Sequence, residues 1–169
     1  MFPGTIKSKL VMVLVLALAG MLTVSIFALF SEKSTLLDDR KVKTRHLVEV
    51  ASSIVTHFHD KQTKGELSAA DAQAAALNTL KALRYEKSEY FWVNDMAPKV
   101  VMHPIKPELD GKDVSGAKDP QGKLLFVEFV NVVKKDGAGF VDYLWPKPGQ
   151  DKPVAKISYV RGFQPWGWV

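Results

Sequence analysis

Three observations predict an α+β protein, an antiparallel sheet packed on a long N-terminal helix and preceded by one transmembrane helix. The first is Leu10–Phe30, 21 residues without a charge. The second is the stretch that follows, which holds no glycine or proline from Ser31 to Lys64 and stays helix-compatible throughout. The third is the placement of β-branched and aromatic runs, which gather from Tyr90 onward while helical patterns lie before and among them. Strands concentrated late, with helices to cover them, fit an α+β domain better than an alternating parallel architecture.

At about 1.5 Å rise per residue, a helix over Leu10–Phe30 crosses a hydrocarbon core of about 30 Å. Lys7 and Lys9 precede it, which places residues 1–9 in the cytoplasm and residues 31–169 on the far side. The rival reading is a cleaved signal peptide. Against it, the apolar run exceeds the ~7–15 residues of a signal core, and no convincing A-x-A site ends it. Beyond the span, Leu47, Val50, Ala51, Ile54 and Phe58 follow i, i+3, i+4 spacing, the stripe of an amphipathic helix rising directly from the membrane. Gly65 breaks that helix. Ser68-Ala-Ala-Asp71 resembles a capping box that opens a second, alanine-rich helix to Leu83, with Ala76, Leu80 and Leu83 facing inward.

Two short strands follow over Tyr90–Asn94 and Val100–His103, around the turn Asp95–Lys99, and then a loop rich in Pro, Gly and Asp. Asp119-Pro120 predicts the start of a third helix, with an N-cap acid and proline at the first helical position. Leu124, Leu125, Val127, Phe129, Val130 and Val133 make that helix apolar over much of its circumference, and Lys134, Lys135 and Gly137 close it. Phe140–Trp145 and Val154–Val160 are strands about a Pro146–Pro153 turn, and a further strand begins at Trp166. A strand ending at Val169 would lose pairing and apolar burial, so the expectation is a piece of a longer protein.

Composition excludes several functions. Without cysteine there is no disulfide framework, thiolate nucleophile or cysteine–zinc site. Two of the 23 basic residues lie before the apolar run, leaving 21 basic against 18 acidic, a net +3. That excess suits an anionic ligand. The charges are dispersed rather than clustered, so the chain carries no nucleic-acid footprint. His57 and His59 are two apart on a helix and face different ways, which makes no metal site. Glu108, Asp110 and Asp113 fit no calcium-loop spacing, with Lys112 intervening, and read as a solvated loop. No nucleophile–base pair, phosphate loop or cofactor motif is recognisable, and the reading is of a chain that is not an enzyme and uses no cofactor.

The Tyr90–His103 hairpin is apolar on both faces. Tyr90, Trp92 and Asn94 point one way, Phe91 and Val93 the other. One face is expected to meet helices, the other to line a pocket for a small ligand. A carboxylate there needs cationic or neutral donors aimed between apolar walls. Arg84, Lys106 and Lys156 are the cationic candidates. Lys156 shares a strand face with Ser158 and is the strongest, the bland reading being a solvated residue on an open sheet. For Arg84 the competing reading is a charge favoured at a helix C-terminus. His103 is a candidate donor in an apolar strand, where a lone histidine is commonly structural. If it meets a carboxylate its pKa should rise, and binding should strengthen as pH falls towards 6. Tyr90, Trp92, Tyr143 and Trp145 supply aromatic walls with polar tips, although strand aromatics are usually core.

Five segments together resemble one family. They are Y-F-W-V-N-D (Tyr90–Asp95), M-H-P-I-K-P-E-L-D-G-K-D (Met102–Asp113), K-D-P-Q-G-K-L-L-F (Lys118–Phe126), G-F-V-D-Y-L-W-P-K-P-G (Gly139–Gly149) and K-I-S-Y-V-R-G-F-Q-P-W-G-W-V (Lys156–Val169). Residues 31–169 are similar, in order and spacing, to the single Cache domain, the extracytoplasmic sensor of many bacterial methyl-accepting chemotaxis proteins and some sensor kinases. The resemblance implies a PAS-like antiparallel sheet on a long N-terminal helix. It implies a small organic anion as ligand, often acetate, propionate, pyruvate or lactate. It also implies an inner-membrane receptor with its sensor in the periplasm, acting as a homodimer. The family continues into a second membrane helix, a HAMP linker and a cytoplasmic signalling domain, none of which this sequence contains. The output therefore stays open between a chemotaxis receptor and a sensor histidine kinase or other signalling enzyme. An anchored solute-binding protein is the non-signalling alternative.

Overall fold

A computed structural model describes residues 4–169, so the cytoplasmic placement of residues 1–9 falls in part outside the described residues. The chain divides into two compact units, Met1–Arg40 and Lys41–Val169. Helix α1 spans Ile6–Thr63. Within the first unit it holds a stretch long and apolar enough to cross a membrane. Leu14, Leu18, Leu22 and Phe27 are among its exposed side chains there.

In the second unit α1 turns Ala51 and Val55 into the core, while Leu47, Ile54 and Phe58 are half-buried and Val50 is exposed. The buried line is thus offset from the expected stripe. At 100° per residue Val55 lies nearly above Ala51, whereas Val50 points a quarter-turn and more away. Helix α2, Ala69–Ala82, starts at Ser68, whose side chain accepts the Asp71 N–H at 3.1 Å while its hydroxyl donates to the Asp71 carboxylate at 2.6 Å. Its inward residues are Ala72, Ala76 and Leu80.

The strands β1 (Val93–Asn94) and β2 (Val100–Met102) are shorter than expected and pair antiparallel, Val93 with Met102. The loop beyond β2 folds back on its outer edge, where Gly111 N–H donates to Val100 O at 2.7 Å and Val100 N–H to Lys112 O at 3.0 Å. The strands β3 (Ala138–Pro146) and β4 (Pro153–Arg161) form a continuous hairpin, from Ala138 opposite Arg161 to Pro146 opposite Pro153. The chain end joins the two pairs. Asn94 and Val169 exchange both backbone bonds (3.0 and 2.7 Å), and Trp168 does the same with Phe163 (3.1 and 2.7 Å). The strands thus form two antiparallel pairs, β1–β2 and β3–β4, with the chain end bridging from Asn94 to Phe163 just beyond β4, in a PAS-like arrangement. The strand expected from Trp166 is corrected: Gln164–Trp166 is a single 3₁₀ turn, Gly167 takes φ +65°, and only Trp168 and Val169 pair.

Helix α3 runs Leu125–Asp136 and buries Leu125, Phe126, Phe129, Val130 and Val133. It begins later than Asp119-Pro120 suggested. Asp119 is buried, and its carboxylate accepts the N–H groups of Gln121 (2.9 Å), Lys123 (2.9 Å) and Leu144 of β3 (3.1 Å). Burial alone would raise that carboxyl, but the Lys123, Leu144 and Gln121 donors and the Lys123 charge hold it below the usual range. With Gly122 at φ +86°, the segment is a turn that cannot continue into a right-handed helix. Two clusters complete the core. One packs Leu125, Phe126, Phe129 and Val133 of α3 against Val141, Tyr143 and Val160. The other packs Ala51, Val55, Ala76 and Leu80 against Val93, Met102 and Trp168.

Candidate functional site

The two faces of β1 divide as the alternation requires. Val93 and half-buried Phe91 join the cluster of α1 and α2, while Trp92 joins that of α3. On this second side the β3–β4 register sets Tyr143 opposite Lys156 and Val141 opposite Ser158, so Tyr143, Trp145, Lys156 and Ser158 share one face.

These residues meet Tyr90 and His103. The rings of Tyr90 and His103 lie 5.0 Å apart between centroids, and those of His103 and Trp145 6.3 Å. Lys156 Nζ sits 5.0 Å from the Tyr90 ring centroid and 3.2 Å from Glu89 Oε2, with its side chain only 14% exposed. Lys106 Nζ lies 4.9 Å from the Trp145 ring centroid. Two ammonium groups thus flank an aromatic-walled histidine, an arrangement that favours an anion.

His103 is 2% exposed and held by its own motif. Its backbone N–H donates to Asp110 Oδ1 at 2.6 Å, and its Nδ1 accepts from Lys106 N–H (3.0 Å) and Ile105 N–H (3.3 Å). An acceptor nitrogen carries no proton, so the neutral ring presents Nε2–H as a donor. Burial, foremost, lowers its pKa to about 4, with Lys106 and Lys156 acting in the same sense against Asp110 and Glu108. The ring is therefore neutral at pH 6.

Burial pushes the Tyr90 hydroxyl up to about 12, with a Trp145 hydrogen bond partly offsetting it. Tyr90 thus keeps its proton to donate. Burial likewise raises the Tyr143 phenol, whose oxygen lies 2.9 Å from Ser158 Oγ. Trp92 plays a different part. Its ring packs on Phe129 at 5.2 Å and its N–H donates to Asn94 Oδ1 at 3.1 Å, so its polar tip is already used.

Of the residues nominated from sequence, the structure brings Tyr90, His103, Tyr143, Trp145 and Lys156 together, with Trp92 behind them. Arg84 is not with them. It is exposed, and its guanidinium donates to the carbonyls of Lys81 (2.8 Å) and Leu83 (2.7 Å) at the end of α2. Sequence reasoning missed Glu89 and Asp110 as members of the cluster. Asp110 had been weighed only as a cation ligand, yet its place seven residues after His103 in a proline-bounded loop was a signal for a loop-closing acceptor. Asp113 is spent similarly, accepting Ser115 N–H at 2.8 Å.

A separate cavity of about 90 Å³ lies where α1 faces the sheet, lined by Thr44, Val48, Ser52, Phe91 and Tyr159 among others. Tyr90 and Trp92 border it, but His103, Tyr143, Trp145 and Lys156 do not. The cavity and the charged cluster thus share Tyr90, Trp92 and Ser158 but are otherwise lined by different residues.

The long helix, antiparallel sheet and strand-face cluster define a sensor domain of the Cache class. The single Cache domain 2 family matches residues 36–169, and the chain belongs to that family. It is 40% identical over 165 residues to the methyl-accepting chemotaxis protein McpP of Pseudomonas putida, spanning 98% of this chain and 30% of that protein. It is 28% identical over 137 residues to the sensor histidine kinase MctS of Rhizobium johnstonii, spanning 81% of this chain and 29% of that one. The chain thus spans about a third of the length of these relatives. A solved periplasmic sensor domain of a chemotaxis protein superimposes with a TM-score of 0.77 at 58% identity, covering 78% of this chain and 92% of that one. A second solved structure, described as the basis for carboxylic acid recognition by a Cache chemosensory domain, gives 0.77 at 47% identity, covering 80% and 92%.

Proposed function

We propose that residues 31–169 are the periplasmic sensor of an inner-membrane chemotaxis receptor, and that Leu10–Phe30 anchors it as a single span. Its ligand is a short-chain carboxylate, bound by Lys156, Tyr90 and His103 between the rings of Trp145 and Tyr143. The observation that carries this reading is the shielded Lys156 ammonium beside a neutral histidine donor and a protonated tyrosine. Such a set matches the single charge and the hydrogen-bond acceptors of one carboxylate, between aromatic walls. The likeness to a domain solved for carboxylic acid recognition and to a chemotaxis protein supports it.

Signalling then follows from differential binding. Ligand favours one packing of the sheet against the sensor part of α1, and the chain of α1 leads on to the apolar stretch. The receptor works as a homodimer in this reading, with exposed apolar residues such as Val42 and Val50 on α1 available for the contact. A second reading, input domain of a sensor histidine kinase, is favoured by the similarity to MctS. The binding chemistry is the same in both.

The test is calorimetric titration of the full chain, in a neutral detergent and carboxylate-free buffer, with acetate, propionate, pyruvate and lactate. Saturable binding of at least one is expected, lost in Lys156→Ala while the cooperative melt persists. A folded protein that binds none of the four would overturn the carboxylate reading.

A further inference from the structure

The partner of Lys156 is itself a carboxylate. Glu89 Oε2 lies 3.2 Å from Lys156 Nζ, with side-chain exposures of 24% and 14%. The space beside the ammonium, where a ligand carboxylate has to sit, is thus already filled by one of identical chemistry. Lys156 alone does not neutralise two carboxylates, and Lys106, the other ammonium of the cluster, lies over the Trp145 ring rather than on Glu89. Leaving Glu89 in place beside a bound anion would set like charges against each other in a poorly screened site.

Glu89 stands at the end of a five-residue hairpin, residues 85–89. Tyr85 and Glu89 exchange backbone bonds, Tyr85 N–H to Glu89 O at 3.1 Å and Glu89 N–H to Tyr85 O at 2.9 Å. The turn residues Glu86 and Lys87 take φ +43° and +74°, the two non-glycine residues with positive φ among those described. Glycine is the residue that adopts this region without cost, so the turn is held there by what its ends grip. One end is Glu89 on Lys156. At the other, Glu86 pairs with Lys43 of α1. The same short hairpin therefore touches the proposed binding cluster and the sensor part of α1 through two carboxylates.

Resting on the carboxylate reading above, we infer that Glu89 is an internal competitor of the ligand: it pairs with Lys156, and a carboxylate binds there by displacing it. Affinity is then set by competition between the two carboxylates. Only an anion able to take over the ammonium releases the Tyr85–Glu89 hairpin, so neutral isosteres of the ligand leave it closed. The release reaches α1 through the Glu86–Lys43 pair.

Full-length wild type, Glu89→Gln and Lys156→Ala are titrated in detergent with acetate, propionate, pyruvate and lactate. Hydrogen exchange of the wild-type Tyr85 and Glu89 amides is followed with and without saturating ligand. Removing the competing charge with a near-isosteric amide is expected to tighten binding about fivefold, the scale of a partly exposed ion pair. The Tyr85 and Glu89 amides are expected to exchange faster in the bound protein. Wild-type binding that Glu89→Gln leaves unchanged or weakens would overturn the inference and leave the carboxylate reading standing. If no carboxylate binds either folded protein, both fall. Should Glu89→Gln fail to fold, the wild-type exchange decides, and unchanged or greater protection of the two amides on binding would overturn the proposal.

Discussion

At His103, two backbone N–H groups point at Nδ1, and only an unprotonated nitrogen accepts them. Protonation would break both bonds, and burial above all, with the Lys106 and Lys156 charges, keeps the ring neutral down to about 4. A ring that starts near 4 has to be raised about two pH units by a bound carboxylate before it is half protonated at pH 6. Affinity is therefore expected to stay flat from pH 6 to 8, and calorimetric titration at the two pH values checks it. Stability acquires the pH dependence instead. The unfolded chain takes up this proton near pH 6.5 and the folded chain only near 4, so stability falls as pH drops through that window. Between pH 7 and 5 the loss amounts to about 2 kcal/mol. Urea melts at the two pH values, wild type against His103→Gln, should show the variant losing less. Equal losses would contradict the assignment. The lowered carboxyls of Asp113, Asp119 and Asp142 lose their contribution at lower pH, as they protonate, and leave this window clear. His103 was legible from sequence as a donor in an apolar strand. Its charge state was not, because that depends on a loop folding back on it.

Among the elements, α3 and the β3–β4 hairpin make the closest approach. A Cβ on Gly139 would meet Val132 Cγ1 at 2.6 Å, and one on Gly162 would meet Val133 Cγ1 at 2.5 Å. Helical valines are confined to essentially one rotamer and cannot swing aside. Gly139→Ala and Gly162→Ala should each destabilise the protein by about 1–3 kcal/mol in urea melts, as overpacking does. Unchanged midpoints would mean that α3 yields freely. The strands themselves were readable from β-branched and aromatic alternation, and the end of α3 from Lys134, Lys135 and Gly137. Its start was not, because Asp-Pro serves equally as a helix cap and as a turn, and what decides is Leu144 arriving from β3 to share the carboxylate. The last strand failed similarly, since Gly167 permits the left-handed turn that leaves only two residues to pair.

For the whole molecule, the long helix, the sheet and the family were all present in the sequence, because apolar periodicity and motif order survive without coordinates. The site was half legible. Tyr143, Trp145 and Lys156 alternate onto one strand face, and period-two reasoning finds them. Glu89 lies off that pattern, on a turn whose ion pairs run to distant chain segments, and Arg84, ranked below Lys156 from sequence, lies on the carbonyls at the end of α2. Charge partnership is a tertiary property. The division of labour between a shielded cationic cluster on one sheet face and an apolar cavity against α1 is likewise invisible in one dimension.

The decisive measurement is an experimental structure of residues 31–169 with the tightest-binding carboxylate of the four at saturation. The expected result places a ligand carboxylate oxygen about 2.7–3.2 Å from Lys156 Nζ, with Tyr90 or His103 as the second donor. A ligand seated instead in the cavity lined by Thr44, Val48 and Ser52, with Lys156 still on Glu89, would contradict the account.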